Sequence, residues 1–279
     1  MSNELCDFRT VICELFSMKD GILLVGYGTR KGNLEKIMEA QAARLRASTD
    51  YEIGVGYFRI SSPAIPDALE QLVRKGVDRV VVVPYYVAEG TLTLDLIPQK
   101  LGLKARMSNG VVEVAGRSVQ IHISAAFNFS TLVTDVLCER IMECGGSRDS
   151  GILLLGHGTR DPSMMNRSVV ERNAQRLRAR GYRHVEFAFN EFCEPSIKDS
   201  LARLASAGVE HIACVPLFIA MGLHLGEEIP EQIDIPAYSD GGSVVLNGRR
   251  IGVSYTRPLE DDPRLTSLVL SRVAEYLSD

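Results

Sequence analysis

The sequence has neither a long apolar run nor an excess of positive charge. No stretch approaches the roughly 18 to 20 consecutive apolar residues of a membrane-spanning helix, so a membrane partner is not expected. The formal net charge is −4 and the isoelectric point is about 5.8. Because phosphate binding favours a basic surface, nucleic acid is not an expected partner either.

A secretory leader and a cysteine-based metal motif are also missing. Residues 1–20 carry acidic side chains among short apolar stretches, which is not the pattern of a signal peptide. None of the six cysteines forms a CxxC pair, so a zinc ribbon is excluded. Cys193 and Cys214 lie in or beside apolar segments, and we expect them to pack as small hydrophobic residues. This cysteine usage predicts a cytoplasmic protein.

The composition is that of a globular protein. Of the 279 residues, 46% are hydrophobic and 24% are charged, which is the usual balance for a chain that folds around its own apolar core. The length is sufficient for one large domain or two small ones.

The chain contains an internal duplication. The segment GILLVGYGTR at 21–30 returns as GILLLGHGTR at 151–160, with eight of ten positions identical. A second match pairs residues 59–98 with 191–230, with 13 identities in 40 positions. The repeat predicts three parts of the chain: an N-terminal extension over 1–20, an N-terminal lobe over 21–146 and a C-terminal lobe over 147–279.

Each copy alternates predicted strands and helices. Short apolar runs that end in glycine, Ile22–Val25 and Ile152–Leu155, are typical of buried parallel strands. Asn247-Gly248 is a strong β-hairpin signal and Ala115-Gly116 is a weaker one. Alternation of this kind predicts the α/β class, with a parallel sheet covered by helices on both faces, once per copy. Further strands are predicted near 52–58, 79–83, 185–189 and 211–215, and helices near 65–76 and 197–208.

Three chemically distinctive residues follow the first three predicted strands of the second copy. His157 lies in a Gly-His-Gly turn, Glu191 follows the next strand, and His224 follows the third. Ligands of open α/β sheets bind beyond the carboxyl ends of the strands, so these side chains are expected at one sheet edge. Imidazole and carboxylate suit a divalent transition metal such as cobalt, nickel or iron, without selecting among them. So few ligands leave coordination positions open for delivery or exchange.

Each of these residues also has a simpler interpretation. A single histidine in a glycine turn commonly hydrogen-bonds the backbone, and a lone carboxylate is commonly solvent-exposed; only their joint placement favours a metal site. The segment Gly156–Gly158 lacks the third glycine of GxGxxG and the lysine of a P-loop, so no nucleotide cofactor is expected. The other three histidines are predicted to be structural: His122, His184 and His211.

The duplication supplies an internal reference for the candidate ligands. Position 157 corresponds to Tyr27, position 191 to Arg59 and position 224 to Leu92. The first copy therefore keeps the scaffold glycines and prolines but carries none of the candidate ligands. We expect one working site per chain, with the first copy forming the facing wall of a cleft between the lobes.

Three segments of the second copy resemble a known family. They are GHGTRD at 156–161, FNEFCEPSI at 189–197 and VPLFIAMGLHLGEEIP at 215–230. These segments resemble the signature blocks of CbiX-type sirohydrochlorin chelatases, a group similar in build to the sirohydrochlorin ferrochelatases and to the archaeal nickel chelatase. The resemblance covers essentially residues 20–279, and the block around His224 is its most specific part.

The resemblance implies a fold and a reaction. The fold is two flavodoxin-like lobes with a cleft between them, and the reaction inserts cobalt, nickel or iron as a substrate into a sirohydrochlorin-type tetrapyrrole. His157 and His224 are implied as metal ligands with Glu191 beside them. Two pyrrole N–H protons must leave as the metal enters, and we expect a histidine or Glu191 to accept them. Family members occur as single-lobe homodimers or as fused chains, so we expect a monomer or a homodimer.

Substrate contacts are expected around the two histidines. Apolar contacts to the macrocycle are predicted from Phe218, Met221 and Gly222. Carboxylate contacts are predicted from Arg30, Thr159 and Arg160 and from backbone N–H groups at helix starts. One rival interpretation is a non-catalytic metal or tetrapyrrole binding protein that uses the same cleft. Another is a two-lobed small-ligand binder of the periplasmic type, against which the missing leader and the His/Glu placement count.

Overall fold

The computed structural model describes residues 18–161 and 163–277, which form two α/β lobes of the same topology. Residues 1–17 of the predicted extension lie outside the described residues, and the first strand begins at Asp20. None of the described helices is both long enough and apolar enough to cross a membrane.

The N-terminal lobe alternates strands and helices as its sequence predicts. Its strands are β1 (Asp20–Gly26), β2 (Glu52–Tyr57), β3 (Arg79–Pro84), β4 (Asn109–Val114) and β5 (Arg117–Ile123). Its helices are α1 (Leu34–Ser48), α2 (Ile65–Arg74), α3 (Ile97–Lys100) and α4 (Thr131–Glu143), with a π-helical turn at Leu92–Leu96 that runs into α3.

The C-terminal lobe repeats this order. Its strands are β6 (Gly151–Gly156), β7 (His184–Phe189), β8 (His211–Pro216), β9 (Gly241–Leu246) and β10 (Arg249–Tyr255). Its helices are α5 (Asn166–Ala179), α6 (Ile197–Ser206), α7 (Ile229–Ile233) and α8 (Pro263–Leu277), with a π-helical turn at His224–Glu228 that runs into α7.

Each lobe has one five-stranded sheet, in the orders β2-β1-β3-β5-β4 and β7-β6-β8-β10-β9. Four strands of each sheet are parallel, and the hairpin partner β4 or β9 adds an antiparallel edge. Both predicted hairpin turns are confirmed: Ala115 and Gly116 have φ of 50° and 76°, and Asn247 and Gly248 have φ of 50° and 74°. Positive φ at both central residues is what a tight hairpin turn requires.

Side-chain alternation along the central strands divides the molecule into five layers. In β1, Ile22 and Leu24 face a core that both lobes share, whereas Leu23 and Val25 face the outer helix α2. The same alternation occurs in β6. The layers are therefore outer helices, N-terminal sheet, a shared helical layer of α1, α4, α5 and α8, C-terminal sheet, and outer helices. Fully buried strands of this kind explain the continuous apolar runs in the sequence.

The closing helices α4 and α8 are exchanged between the lobes. Helix α8, at the end of the second copy, packs against β3 of the N-terminal sheet, and α4 packs against β8 of the C-terminal sheet. Arg140 on α4 is 1% exposed and donates to the carbonyl oxygens of Pro258 (3.0 Å) and Leu259 (3.1 Å) in the other lobe. The predicted parallel sheet with helices on both faces, once per copy, is therefore confirmed, and the last helix of each copy packs against the sheet of the other copy.

Each exchanged helix makes one buried hydrogen bond to a helix of the other copy, and the pseudo-twofold symmetry of the repeat relates the two bonds. Thr134 on α4 donates to Asn173 on α5 (2.8 Å), and Thr266 on α8 donates to Gln41 on α1 (2.6 Å). Each bond crosses between the lobes at a corresponding position of the repeat. A net contribution of about 1 kcal/mol for each bond is the usual expectation, and their geometry fixes how the two copies meet.

Candidate metal centre

A cleft of about 890 Å³ opens between the lobes at the carboxyl ends of the strands. Loops that follow β1 and β3 line it from the N-terminal lobe, and loops that follow β6 and β8 line it from the C-terminal lobe. A parallel sheet places all these loops at one edge, and the shared helical layer turns the two edges toward the same opening. The cleft is within the size range of small-molecule sites.

His157 is held by a close contact between two loops. The backbone N–H of Glu191 donates to the carbonyl oxygen of His157 (3.1 Å). Gly158 has φ of 95°, and a Cβ atom there would lie 1.8 Å from the carbonyl oxygen of Glu191. Only glycine allows this approach, which brings the imidazole and the carboxylate of these neighbouring loops together.

His224 is the first residue of the π-helical turn that follows β8. The amide of Ile229 donates to the carbonyl of His224, five residues earlier, which widens the turn. The N-terminal lobe has the same hydrogen bond between Ile97 and Leu92 at the corresponding position. The turn is therefore part of the duplicated scaffold, and its first residue is histidine in one copy and leucine in the other.

The structure brings His157, Glu191 and His224 together, with one ligand atom from each lying within 4.8 Å of the others. His157 Nε2 lies 3.6 Å from Glu191 Oε1, and the two imidazole rings are 4.8 Å apart at 84°. Their side chains are 42%, 35% and 40% exposed. Two neutral nitrogens and one oxygen at this separation can hold a divalent ion while solvent or a second ligand occupies the remaining positions.

A second group of residues, which the sequence interpretation did not single out, orients His224. Glu228 Oε2 lies 2.5 Å from His224 Nδ1 and accepts a hydrogen bond from the Nδ1–H group. The amide of Asn190 donates to the same carboxylate oxygen (3.3 Å), and Gln232 Nε2 donates to Asn190 Oδ1 (2.8 Å). A carboxylate on Nδ1 fixes the tautomer that leaves Nε2 free for a metal.

The electrostatics of Glu228 follow from these contacts. The hydrogen bond with His224 holds the pKa of Glu228 below its ordinary value, and the Asn190 amide adds to this, whereas burial acts in the opposite direction. The carboxylate is thus charged near neutral pH. The signal that the sequence offered was the His224-x-x-x-Glu228 spacing, which places both side chains on one helical face.

The predicted substrate residues divide into two groups. Arg30, Thr159, Phe218, Met221 and Gly222 line the cleft, and the Phe218 ring lies 6.0 Å from that of His157. Arg160 is not among the described residues that line it. Its guanidinium carbon lies 4.5 Å from the ring centre of Phe192, a distance at which the two groups make a cation–π contact.

The corresponding positions of the N-terminal lobe form a different cluster. Tyr27 lines the cleft and stacks on Phe58, with ring centres 6.0 Å apart. The cationic groups of Arg59 and Lys100 lie 5.4 Å and 5.9 Å from the Phe58 ring centre. Leu92 occupies the position of His224. Aromatic and cationic groups therefore stand where the other lobe has metal-type ligands.

The remaining histidines and the two singled-out cysteines have other roles. His211 Nε2 pairs with the hydroxyl of Ser254 (2.8 Å), and the His122 ring packs on Tyr276; burial lowers the pKa of both imidazoles. His184 opens β7. Cys214 is fully buried, as predicted. Cys193 is partly buried and hydrogen-bonds the Thr159 backbone, so it is more than a hydrophobic filler.

The fold and the site together define a two-lobed α/β protein with a candidate metal centre on one wall of its interlobe cleft. The chain matches the CbiX family over residues 21–144 and again over 151–276. It therefore belongs to the CbiX family, with one copy of the family domain in each lobe.

Individual relatives match about half of the chain each. The chain is 31% identical to the sirohydrochlorin cobaltochelatase of Methanopyrus kandleri over 141 residues, which cover 46% of this chain and 97% of the relative. It is 35% identical to that of Methanosarcina acetivorans over 133 residues, which cover 46% and 96%. The solved structure of SirB from Bacillus subtilis with Fe3+ covers both lobes, with a TM-score of 0.71 at 20% identity over 94% of this chain and 96% of SirB. That structural likeness shows the fold.

Proposed function

We propose that this protein is a chelatase that inserts a divalent metal ion into sirohydrochlorin, a step in tetrapyrrole biosynthesis. Cobalt is the first metal to test because the sequence relatives are cobaltochelatases, and nickel and iron are the alternatives that the same ligands accept. The metal is a substrate, and no nucleotide takes part.

One observation carries this proposal: three metal-type ligands converge, and the two histidines among them line an open cleft. A structural metal site would be closed by four protein ligands, whereas three ligands that are each about 40% exposed leave room for exchange. The cleft of about 890 Å³ beside them offers the space for a large organic partner. Arg30 and Lys31 at its edge add positive charge, which favours a polycarboxylate.

The first step in the proposed mechanism is metal capture. His157 Nε2, His224 Nε2 and a carboxylate oxygen of Glu191 hold the ion, and Glu228 fixes the His224 ring from behind. Weak binding by three ligands serves the reaction, because each protein ligand has to be replaced by a pyrrole nitrogen.

The second step is transfer of the metal into the macrocycle. Phe218 and Met221 supply an apolar surface near the histidines, and Arg30 and Thr159 supply groups that bind carboxylates. Two pyrrole N–H protons leave as the metal enters. Glu191, whose oxygen lies 3.6 Å from His157 Nε2, accepts one of them once its carboxylate has released the metal, and a displaced imidazole accepts the other.

The test is metal insertion by the purified protein, followed through the absorbance of sirohydrochlorin with cobalt, nickel or iron in separate reactions. We expect His157→Ala and His224→Ala to reduce the rate at least a hundredfold. Tyr27→Phe, at the position in the other lobe that matches His157, serves as the control and should retain most of the activity. Equal rates for wild type and the double histidine variant would remove the assignment.

The rival, a binding protein without turnover, is separated by stoichiometry. A chelatase converts many equivalents of sirohydrochlorin per chain, whereas a binding protein stops at one. We further infer that the fused chain is the working unit, because the exchanged helices supply the pairing of two lobes within one molecule. The free cysteines of the described chain favour a cytoplasmic location.

A further inference from the structure

The N-terminal lobe touches the segment that carries His224. Its loop 29–33 lies against residues 219–223 of the other lobe. A Cβ atom at Gly32 would fall 2.1 Å from the carbonyl oxygen of Met221, and Gly222 lies beside the carbonyl of Lys31. The N-terminal lobe, which carries none of the candidate ligands, therefore contacts the other lobe at Met221, three residues before His224.

Asn33 makes the directional contacts in this interface. Its Oδ1 accepts the backbone N–H of Met221 (2.9 Å), and its Nδ2 donates to Glu260 Oε1 (2.8 Å). Both partners belong to the C-terminal lobe. One amide side chain thus spans two separate segments of that lobe from outside it.

Glu260 completes the fixation of the same segment. Its backbone N–H donates to the carbonyl of Ile219 (2.8 Å), and its own carbonyl accepts the hydroxyl of Tyr85 from the N-terminal lobe (2.9 Å). The chain just before His224 is therefore held at Ile219 by Glu260 and at Met221 by Asn33. Rotation of the Met221 peptide would break the bond to Asn33 and shift the turn that begins at His224.

At the corresponding position of the N-terminal lobe, the backbone N–H of Glu89, which matches Met221, is held from within its own lobe by Asn128 Oδ1 (2.9 Å). Met165 occupies the position of Asn33 in the repeat, and only its backbone N–H reaches across, to the carbonyl of Glu89 (3.3 Å). That side leads into the turn with Leu92, which is not a metal ligand. Among the described residues of these two segments, a side chain of the opposite lobe holds the segment that carries a histidine, whereas the other segment is held by a side chain of its own lobe.

We propose that Asn33 is a positioning residue for the metal centre: the N-terminal lobe, which has no ligands of its own, holds the His224 segment so that its imidazole meets His157 and Glu191. This inference rests on the proposed function for its catalytic meaning, but its direct prediction concerns metal binding alone. Ligand groups have to be held within a fraction of an ångström of productive geometry, and backbone support is one way to do so.

The experiment is a Co²⁺ titration of the whole protein, followed by the visible absorption bands of the bound ion, which report both affinity and coordination geometry. We expect Asn33→Ala to weaken Co²⁺ binding by about five- to tenfold, since one hydrogen bond that supports the ligand-bearing segment contributes about 1 kcal/mol, and to change the band shape. The matched control is Thr134→Val, which also removes one hydrogen bond between the lobes but lies away from the cleft. It should leave the Co²⁺ affinity within about twofold of wild type.

A charge-swapped pair tests the hydrogen bond itself. Asn33→Asp alone places a carboxylate beside Glu260 and should weaken Co²⁺ binding. Adding Glu260→Gln restores a donor to the new carboxylate, which still accepts the Met221 N–H, and should recover most of the affinity. Failure of this rescue in a folded double variant contradicts the proposal.

Two further outcomes overturn the inference: an Asn33→Ala protein that binds Co²⁺ as wild type does, or a Thr134→Val protein that is weakened equally. Neither depends on turnover. If wild type binds Co²⁺ through His224 but inserts no metal into sirohydrochlorin, the proposed function fails while the role of Asn33 in positioning stands.

Discussion

Substitution of Glu228 by glutamine tests the orientation of His224 most directly. The carboxylate accepts the Nδ1 proton of His224 at 2.5 Å, and the helical spacing of the two residues sets this geometry. The amide that replaces it can still present an oxygen to Nδ1, but it carries no charge. Glu228→Gln therefore retains the His224 tautomer but removes the attraction between the carboxylate charge and the imidazole. Glu228→Ala removes this attraction and also the hydrogen bond that fixes the tautomer.

The expected loss of Co²⁺ affinity depends on how exposed the side chains of Glu228 and His224 are. Hydrogen bonds to charged groups contribute about 1.5 to 3 kcal/mol when they are protected from water. Both side chains are 40% exposed, so solvent screening reduces this to about 1 kcal/mol. Since about 1.4 kcal/mol is a factor of ten, we expect Glu228→Gln to weaken Co²⁺ binding by about fivefold and Glu228→Ala by about tenfold or more.

The assay is competitive Co²⁺ titration near neutral pH, with Glu227→Gln as the control. Glu227 is the adjacent residue and loses the same charge, but its carboxylate contacts Tyr238 (2.8 Å) and Lys31 (3.7 Å) and not His224. Its substitution should change the affinity by less than about twofold. Equal weakening in the two glutamine variants would mean that overall charge, and not orientation of the ring, controls the affinity.

Two other predictions concern the scaffold. Gly158→Ala should lower the free energy of unfolding by about 3 kcal/mol and abolish Co²⁺ binding, because its Cβ collides with the Glu191 backbone. Gly248→Ala, also at positive φ but with open space around it, should cost about 1 kcal/mol and leave metal binding unchanged; comparable losses of metal binding would contradict this. Burial alone would raise the pKa of Asp262, but hydrogen bonds from Arg264 and the charge of Arg140 hold it below its ordinary value. A depressed carboxyl pKa contributes stability that is present above the unfolded pKa of about 3.9 and is lost as pH falls through the folded value. Asp262→Asn should therefore lower the free energy of unfolding in urea by about 1.5 to 3 kcal/mol at pH 7 and by less at pH 3; the same deficit at both pH values would refute this.

Much of the fold could be predicted from the internal repeat and from the spacing of apolar residues within each copy. Apolar runs that end in glycine predicted β1 and β6, and Asn247-Gly248 predicted a hairpin, because these local patterns depend on backbone geometry alone. The exchange of α4 and α8 was not readable. Helical spacing shows which residues of a helix are buried, but it does not show which of two similar sheets buries them.

The candidate site was predictable to the extent that topology fixes it. His157, Glu191 and His224 follow three parallel strands, so strand order alone brings them to one edge. Glu228 and Asn33 were missed for different physical reasons. Glu228 reaches His224 only because the segment that carries both residues is helical. Asn33 acts across the interface between the two copies, and no sequence pattern within one copy describes that interface.

Because α4 and α8 are exchanged between the lobes, the two copies depend on each other for folding while their sequences can differ. Half of the molecule would leave one sheet face bare, so each copy requires the other, and the linker near residues 145–150 guarantees a ratio of one to one. In a pair of identical subunits any substitution appears twice. Here the two copies can mutate separately, so one can carry His157, Glu191 and His224 while the other carries Asn33, and the two halves of one molecule can specialise.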